Sequence, residues 1–227
     1  MKKHYSFSVC LFVALLSFIV SCGGGEKKTD PYNGHEYVDL GLPSGIKWAT
    51  CNVGATSPEE YGGYYAWGET EEKSNYDCDW STYKWCNGSY DCMTKYCTDG
   101  SYGTVDNKTV LDPEDDVAHI KWGGSWRMPT KAEQDELRDN CTWTWITQNG
   151  VKGYKVIGPN GNSIFLPAAG FRYGTEVFDR GSYGDYWSSS LISNYSSSAY
   201  DLNFYSGNYD WYYSGRCRGR SVRPVSE

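Results

Sequence analysis

The stretch Tyr154–Leu166 (YKVIGPNGNSIFL) indicates the class of fold. Two short runs rich in apolar, aromatic and β-branched residues, 154–157 and 163–166, flank the turn sequence Pro-Asn-Gly-Asn at 159–162. Apolar runs separated by an Asn-Gly turn predict a β-hairpin. We therefore expect antiparallel strands in the second half of the chain.

Further short strands are predicted on both sides of this hairpin. Residues 36–40 and 46–50 alternate around a glycine-rich turn, and residues 200–205 place apolar side chains on one face and polar side chains on the other. Residues 221–225 contain a proline and are predicted to close the chain as an edge strand.

The clearest predicted helix begins at Thr130, where Thr-Lys-Ala-Glu fits a capping box, and it should end near residues 140–142. The pattern as a whole predicts an α+β fold with short antiparallel strands, few helices and long loops. The predicted core includes Trp48, Trp126, Leu137, Phe165, Trp187, Leu202 and Phe204.

Residues 75–109 have little apolar periodicity and are predicted to form a loop-rich insertion. They contain four cysteines: Cys78, Cys86, Cys92 and Cys97. Their spacing lacks a C-x-x-C pair and argues against zinc, so we favour one or two disulfides that staple the loops. Cys51 and Cys141 could also pair.

The N-terminus predicts export. Basic residues precede an apolar run at 9–20, which is typical of a signal peptide over residues 1–21. That run is too short to cross roughly 30 Å of hydrocarbon. Residues 22–34 are polar and glycine-rich and predict a flexible tether, followed by one domain over 35–227.

Composition limits the classes of molecule that the chain could bind. The net charge of −7 argues against nucleic-acid binding, which needs clustered Lys and Arg against phosphate. The chain contains 21 Tyr and 10 Trp, more than its length would suggest.

Residues 19–22 (IVSC) resemble the lipobox of bacterial lipoproteins. The resemblance implies that the thiol of Cys22 is acylated and that Cys22 becomes the first residue of the mature protein. We expect a lipid-anchored protein of the outer membrane, exposed at the cell surface, that touches the membrane only through this anchor.

Longer motifs resemble the Fibrobacter succinogenes major paralogous domain family. They are YVDLGLPSGIKWATCNVG (37–54), YGGYYAWGE (61–69), WGGSWRMPTKAE (122–133), FLPAAG (165–170), YWSSS (186–190) and SVRPV (221–225). The resemblance implies a C-type-lectin-like fold related to that of formylglycine-generating enzymes, and it implies no established enzymatic activity.

The stretch from Tyr186 to Val225 resembles the variable region of proteins diversified by retroelements. In such proteins, codons that contain adenine are randomised and the others stay fixed. The resemblance implies that Leu202 and Phe204 are fixed core positions and that the polar residues between and after them vary.

Composition supports a binding role for residues 171–223. This segment of 53 residues holds nine Tyr, 11 Ser and six Gly, the residue types that antibody contact loops favour. The predicted ligand-binding residues are Asp201, Asn203, Tyr205, Tyr209, Asp210, Tyr212, Tyr213, Ser214, Arg216, Cys217 and Arg218. Tyr205, Tyr212, Tyr213 and Arg218 are the expected anchors, because aromatic residues and Arg dominate interface energetics. The ligand is a protein or a glycan.

Cys217 lies between two arginines, which favours an orphan thiol created by a randomised codon, although a disulfide to one of the loop cysteines would also account for it. The acidic residues at 112 and 114–116 could supply oxygen ligands to calcium, but their spacing is not that of an EF-hand. The calcium-binding motifs of C-type lectins are missing from the sequence, so no cofactor is expected, and the acidic run fits a solvated turn that caps a helix.

Two other functions were weighed. A structural surface or fimbrial subunit would also tolerate tyrosine-rich strands. An enzyme is not expected, because His35 and His119 are accompanied by no recognisable nucleophile motif and Cys217 stands alone where formylglycine-generating enzymes use paired cysteines.

Overall fold

A computed structural model describes residues 32–227, so the predicted signal peptide, Cys22 and almost all of the predicted tether lie outside the described residues. The strands are β1 (Tyr37–Asp39), β2 (Lys47–Ala49), β3 (Thr142–Gln148), β4 (Val151–Ile157), β5 (Ser163–Pro167), β6 (Phe171–Tyr173), β7 (Glu176–Phe178), β8 (Tyr183–Leu191), β9 (Ser198–Tyr205), β10 (Asn208–Gly215) and β11 (Val225–Ser226). The helices are a 3-10 turn (Pro113–Asp115), α1 (Val117–Trp122) and α2 (Lys131–Asn140). None of the described helices combines the length and the apolar composition needed to span a membrane.

The strands form small antiparallel sheets, ordered β1-β2-β11, β10-β9-β8, β3-β4-β5 and β6-β7. The predicted α+β class, rich in short antiparallel strands and poor in helices, is confirmed at this level. The predicted hairpin is β4–β5, in which Tyr154 faces Leu166. Sequence reasoning missed β3, which begins directly after α2 and reverses into β4 through Asn149 and Gly150, both at positive φ.

Helix α2 begins as predicted. The Thr130 hydroxyl accepts a hydrogen bond from the main-chain N–H of Glu133, and the Glu133 carboxylate accepts one from the N–H of Thr130. This reciprocal pair satisfies two donors that the first helical turn leaves free. Leu137 is buried, and the side-chain amide of Gln134 reaches main-chain carbonyls of β8.

The sheet β10-β9-β8 carries most of the predicted binding segment. Leu202 and Phe204 of β9 point into the core, as predicted. The contact residues from Tyr209 to Arg218 are expected in a loop after this strand, and up to Gly215 that expectation is wrong: β10 pairs with β9 over its whole length, from Asn208 opposite Tyr205 to Gly215 opposite Ser198. A two-residue turn with Gly207 at φ 94° sets this register, and aromatic residues favour the strand.

All seven predicted core residues are buried, the most exposed being Phe165 at 3%. The predicted closing strand begins later than expected, because only Val225 and Ser226 pair with β2. Its backbone is nevertheless held over residues 221–225, since Trp187 N–H donates to the carbonyl of Ser221 and Val53 N–H donates to that of Val222.

The insertion at 75–109 is loop-rich as predicted, with neither helix nor strand among the described residues between Ala49 and Pro113. Its cysteines do not pair with one another. Cys78 forms a disulfide with Cys217, 139 positions away, so the orphan-thiol interpretation of Cys217 is wrong. Cys51 and Cys141 are both free thiols, as are the insertion's other three cysteines.

Candidate ligand-binding face

Exposed aromatic side chains concentrate in the C-terminal segment. Within residues 32–227, eight of the ten exposed aromatic side chains lie between 171 and 223. They are Tyr173, Phe178, Tyr183, Tyr195, Tyr205, Trp211, Tyr212 and Tyr213. Sheet β10-β9-β8 and the β6–β7 hairpin carry seven of these rings, and Tyr195 lies in the turn between β8 and β9.

Five tyrosines form a continuous row that we call the tyrosine stripe. It runs through Tyr90, Tyr102, Tyr195, Tyr213 and Tyr212. Successive ring centroids are 6.4 Å apart from Tyr90 to Tyr213, and the last pair stacks at 5.2 Å. The stripe joins the insertion to the edge strand β10, a connection that local sequence patterns did not reveal.

The predicted contact residues differ in exposure. Tyr205, Asp210, Tyr212 and Tyr213 are exposed, Asn203, Tyr209, Ser214 and Arg218 are partly buried, and Asp201, Arg216 and Cys217 are buried. The expectation that the last three face a ligand is therefore wrong. Each of them has an internal partner: Arg220 for Asp201, Tyr83 for Arg216 and Cys78 for Cys217.

The burial of the side chains on the polar side of β9 increases from Tyr205 through Asn203 to Asp201. Tyr205 is exposed and packs 5.0 Å from the ring of Tyr183. Asn203 is partly buried and donates to Asp185 Oδ1 at 2.9 Å. Asp201 is completely buried. Alternation along the strand predicted the side on which these residues lie, but it did not predict how deeply the neighbouring loop covers them.

That covering loop contributes Arg220, which forms a buried ion cluster with Asp185 and Asp201. Its guanidinium pairs directly with Asp185 and lies 3.2 Å from Asp201 Oδ2, and it also donates to the hydroxyl of Ser214. Both carboxylate oxygens of Asp201 lack a hydrogen bond within the described residues. Burial therefore raises the pKa of Asp201 to about 7, although the charge of Arg220 opposes this.

Arg216 and Cys217 tie the C-terminal segment to the insertion. Arg216 donates hydrogen bonds to the Tyr83 hydroxyl and to the carbonyls of Lys95, Tyr96 and Ser196, at 2.8–3.1 Å. Its guanidinium also stacks 4.8 Å from the ring of Trp67. The adjacent disulfide fixes the same junction covalently.

Unlike the buried arginines of this segment, Arg218 forms no side-chain hydrogen bond or ion pair with the described residues. Its guanidinium lies 4.9 Å from the ring centroid of Tyr173 and 5.7 Å from that of Phe171. Burial, and after it the charge of Arg220, lowers the pKa of Arg218.

The outer edge of β10 adds a second group of contacts. Tyr209 stacks inward on Trp143 at 4.7 Å, and Asp210 pairs with Arg138 of α2 at 2.8 Å. Trp211 donates its main-chain N–H to the side chain of Asp210 and lies under the ammonium of Lys131 at 4.6 Å. Trp211 was not among the predicted contacts, although its side chain is exposed.

The acidic run already has protein partners. Oxygens of Asp112, Glu114 and Asp115 lie within 4.8 Å of one another, and Lys95 Nζ approaches these residues at 2.7, 3.5 and 2.6 Å. Asp116 caps α1 by accepting from the N–H groups of Ala118 and His119, as predicted. The expectation of a solvated turn is wrong at Asp115 and Asp116, which are buried. Burial, the largest effect on its carboxyl, raises the pKa of Asp116.

The histidines take part in packing. His35 stacks on Trp122 with ring centroids 3.9 Å apart, and burial lowers its pKa. His119 Nδ1 lies 3.2 Å from the carbonyl of Trp126. Both rings therefore have structural contacts in the described fold.

Comparison with known proteins does not assign the chain to a family. No family model matches the sequence, and neither the curated proteins nor the solved structures include a match. The family likeness suggested by the motifs therefore stays an expectation, and a function for the chain has to come from the arrangement of its own side chains.

Proposed function

We propose that this chain is a lipid-anchored surface protein of C-type-lectin-like fold that binds a macromolecular ligand, a protein or a glycan, through its C-terminal face. One observation carries the proposal: eight of the ten exposed aromatic side chains within residues 32–227 lie on the segment 171–223. Exposed rings gathered in one region mark interaction sites more often than scattered ones do.

The chemistry of the face suits recognition. Tyrosine offers a large amphipathic contact area at a low entropic cost, and serine and glycine around it adapt to different partners. The tyrosine stripe and the pair Tyr183–Tyr205 present such rings at both ends of the sheet, at 36–59% exposure for the exposed members. A ligand that covers them would bury apolar surface without disturbing the core.

Diversification by a retroelement is part of the proposal, in a narrower form than the sequence suggested. Randomised codons would be tolerated at exposed positions such as Tyr205, Tyr212 and Tyr213, which support no core packing. At Asp201, Arg216 and Cys217 most replacements would destabilise the fold. A template repeat beside the gene, with mismatches confined to template adenines, would test this directly, and a locus lacking such a repeat would contradict it.

The binding proposal is tested with the full-length protein on arrays of glycans and of bacterial and host surface proteins. We expect the wild-type protein to bind a defined probe and the variant with Tyr205, Tyr212, Tyr213 and Arg218 all replaced by Ala to lose most of that binding. Tyr37→Ala is the matched control, because Tyr37 is 42% exposed but lies outside the segment.

Folding must be checked in parallel. The melting temperature of the fourfold variant should stay within a few degrees of the wild-type value. Undiminished probe binding by a folded fourfold variant would place the binding face elsewhere, and failure of the wild-type protein to bind any probe would favour a structural subunit.

Anchoring is a separate part of the proposal and rests on the lipobox-like residues 19–22. We expect Cys22→Ala to abolish labelling with radioactive palmitate and to release the protein from membranes. Continued partition of the variant into detergent would contradict lipidation at Cys22.

A further inference from the structure

Arg218 is distinguished by the lack of any polar partner for its side chain. Among residues 32–227 its guanidinium forms no hydrogen bond or ion pair, and its described contacts are with the rings of Tyr173 and Phe171. A guanidinium carries five N–H donors in a rigid plane. The donors of Arg218 are therefore held in place on the proposed binding face without an acceptor from the fold.

The neighbouring arginine shows what a partnered guanidinium looks like here. Arg220 is buried and makes ion contacts with both Asp185 and Asp201. Those carboxylates are closest to Arg220, and Arg218 lies beside a second positive charge that lowers its pKa. A half-buried cation next to another cation is unfavourable until an anion approaches it.

The charges of the neighbouring side chains also favour an anion at Arg218. Burial raises the pKa of Asp201 to about 7, so at slightly acidic pH that carboxyl is largely neutral. Asp185 then offsets the charge of Arg220, and the charge of Arg218 is left without a counterion. The group of four side chains consequently favours a singly charged anion at Arg218.

We propose that Arg218 is a subsite for a carboxylate on an acidic side chain of a protein partner. This assignment rests on the proposed function, since it names the chemistry of one contact on the same face. A planar guanidinium binds a planar carboxylate through two parallel N–H···O bonds, and the rings of Tyr173 and Phe171 fix the orientation of that plane.

Two features select this ligand over other anions. Arg218 offers one uncompensated positive charge, which a singly charged carboxylate matches and a doubly charged phosphate exceeds. The surrounding mixture of tyrosine, serine and glycine is typical of surfaces that recognise proteins.

The test uses sodium acetate as the probe and arginine Nε–Hε signals of the full-length, ¹⁵N-labelled protein in detergent micelles. Arg218→Gln identifies the relevant signal by its disappearance. At constant ionic strength, set with sodium chloride, we expect acetate to shift the Arg218 signal saturably. Arg180 is the internal control, because it also stacks on tyrosines but already donates to the Tyr64 hydroxyl at 3.0 and 3.3 Å.

Several results would overturn the assignment. Equal shifts at Arg180 and Arg218, no saturable shift, or tighter binding of inorganic phosphate than of acetate would each exclude a carboxylate subsite. N-acetylaspartate amide and glucuronate then compare the two sources of a carboxylate, and a preference of about tenfold or more for glucuronate would exclude the protein partner.

The titrations also separate this inference from the broader proposal. They need no macromolecular ligand, so acetate binding at Arg218 can succeed even if the array experiment finds none. Conversely, a tyrosine variant that abolishes binding to a probe while acetate still shifts Arg218 would uphold both.

Discussion

Two neighbouring stretches of the C-terminal segment were both predicted to hold ligand contacts, and they behave differently in the fold. Residues 208–214 (NYDWYYS) and 216–223 (RCRGRSVR) are both polar, and most of the predicted contact residues lie in them. The first forms an edge strand with most of its side chains exposed, whereas Arg216, Arg220 and Arg223 of the second are buried. Packing partners separate the proposed ligand contacts from internal support: Arg216 faces the insertion, Arg220 the acids of β8 and β9, and Arg223 the residues after β2.

Buried arginine side chains bind the second stretch to the rest of the fold. Arg223 donates to Asn52 Oδ1 and to main-chain carbonyls at 49 and 50, much as Arg216 collects carbonyls from the insertion. Loops without regular hydrogen bonding leave carbonyls that need donors, and a guanidinium can serve several of them at once. The arginines therefore replace the sheet hydrogen bonds that the loops lack.

The largest expected effect on stability concerns Arg216. If that effect were missing, the difference between the two stretches would be contradicted. Arg216→Ala leaves the carbonyls of Tyr96, Ser196 and Lys95 without this donor, which should lower the free energy of unfolding by about 4 kcal/mol. Urea denaturation measures this. Arg218→Ala is the control and should change stability by less than about 1 kcal/mol; similar losses for both variants would contradict the division between the two stretches.

The disulfide should come next in magnitude. Replacing Cys217 by Ser removes a cross-link between positions 139 apart and should lower the free energy of unfolding by about 3 kcal/mol, mainly by releasing the unfolded chain. The double variant Cys78→Ser/Cys217→Ser should match the single variant, because both lose the same bond. Undiminished stability after reduction of the wild-type protein would show that Arg216 alone holds the junction.

The smallest effect between neighbouring conditions, about 1 kcal/mol for each pH unit, sharpens the boundary within β9. Burial raises the pKa of Asp201 from 3.8 to about 7, so the folded state binds the proton more tightly than the unfolded chain does. The resulting stabilisation is complete below about pH 4 and is lost as the pH rises through 7. Relative to Asp201→Asn, the wild-type protein should lose about 1 kcal/mol per pH unit across that interval. Parallel pH profiles for the two proteins would mean that Arg220 keeps Asp201 ionised.

Local patterns predicted the parts of the fold that depend on local chemistry. The alternation at Leu202 and Phe204 and the capping box at Thr130 each identified an element correctly, because period and end-capping are encoded within a few residues. Residues 208–215 lack a clean alternation because most side chains on both faces of this edge strand are exposed, and β10 was therefore missed.

Contacts between residues far apart in the sequence limited how much of the candidate site could be predicted. Nothing near Arg216 in the sequence indicates that Tyr83 will lie against it. For Cys217 a disulfide to one of the loop cysteines was the alternative, and it is confirmed, but the sequence did not identify Cys78 as the partner. The tyrosine stripe escaped notice for the same reason, because Tyr90 and Tyr102 are more than a hundred residues away from Tyr213 in the chain.

The bond between Cys78 and Cys217 also determines how the molecule would carry a mechanical load. If a ligand held β10 while the proposed lipid anchor held the N-terminus, tension would pass from residue 212 to Cys217, across the sulfur bridge to Cys78, and on towards residue 32. Most of the chain enclosed by the bridge cannot be extended while the bond is intact. Single-molecule pulling between residue 212 and the N-terminus should therefore gain roughly 450 Å of contour length on reduction, from about 130 enclosed residues at 3.3–3.6 Å each.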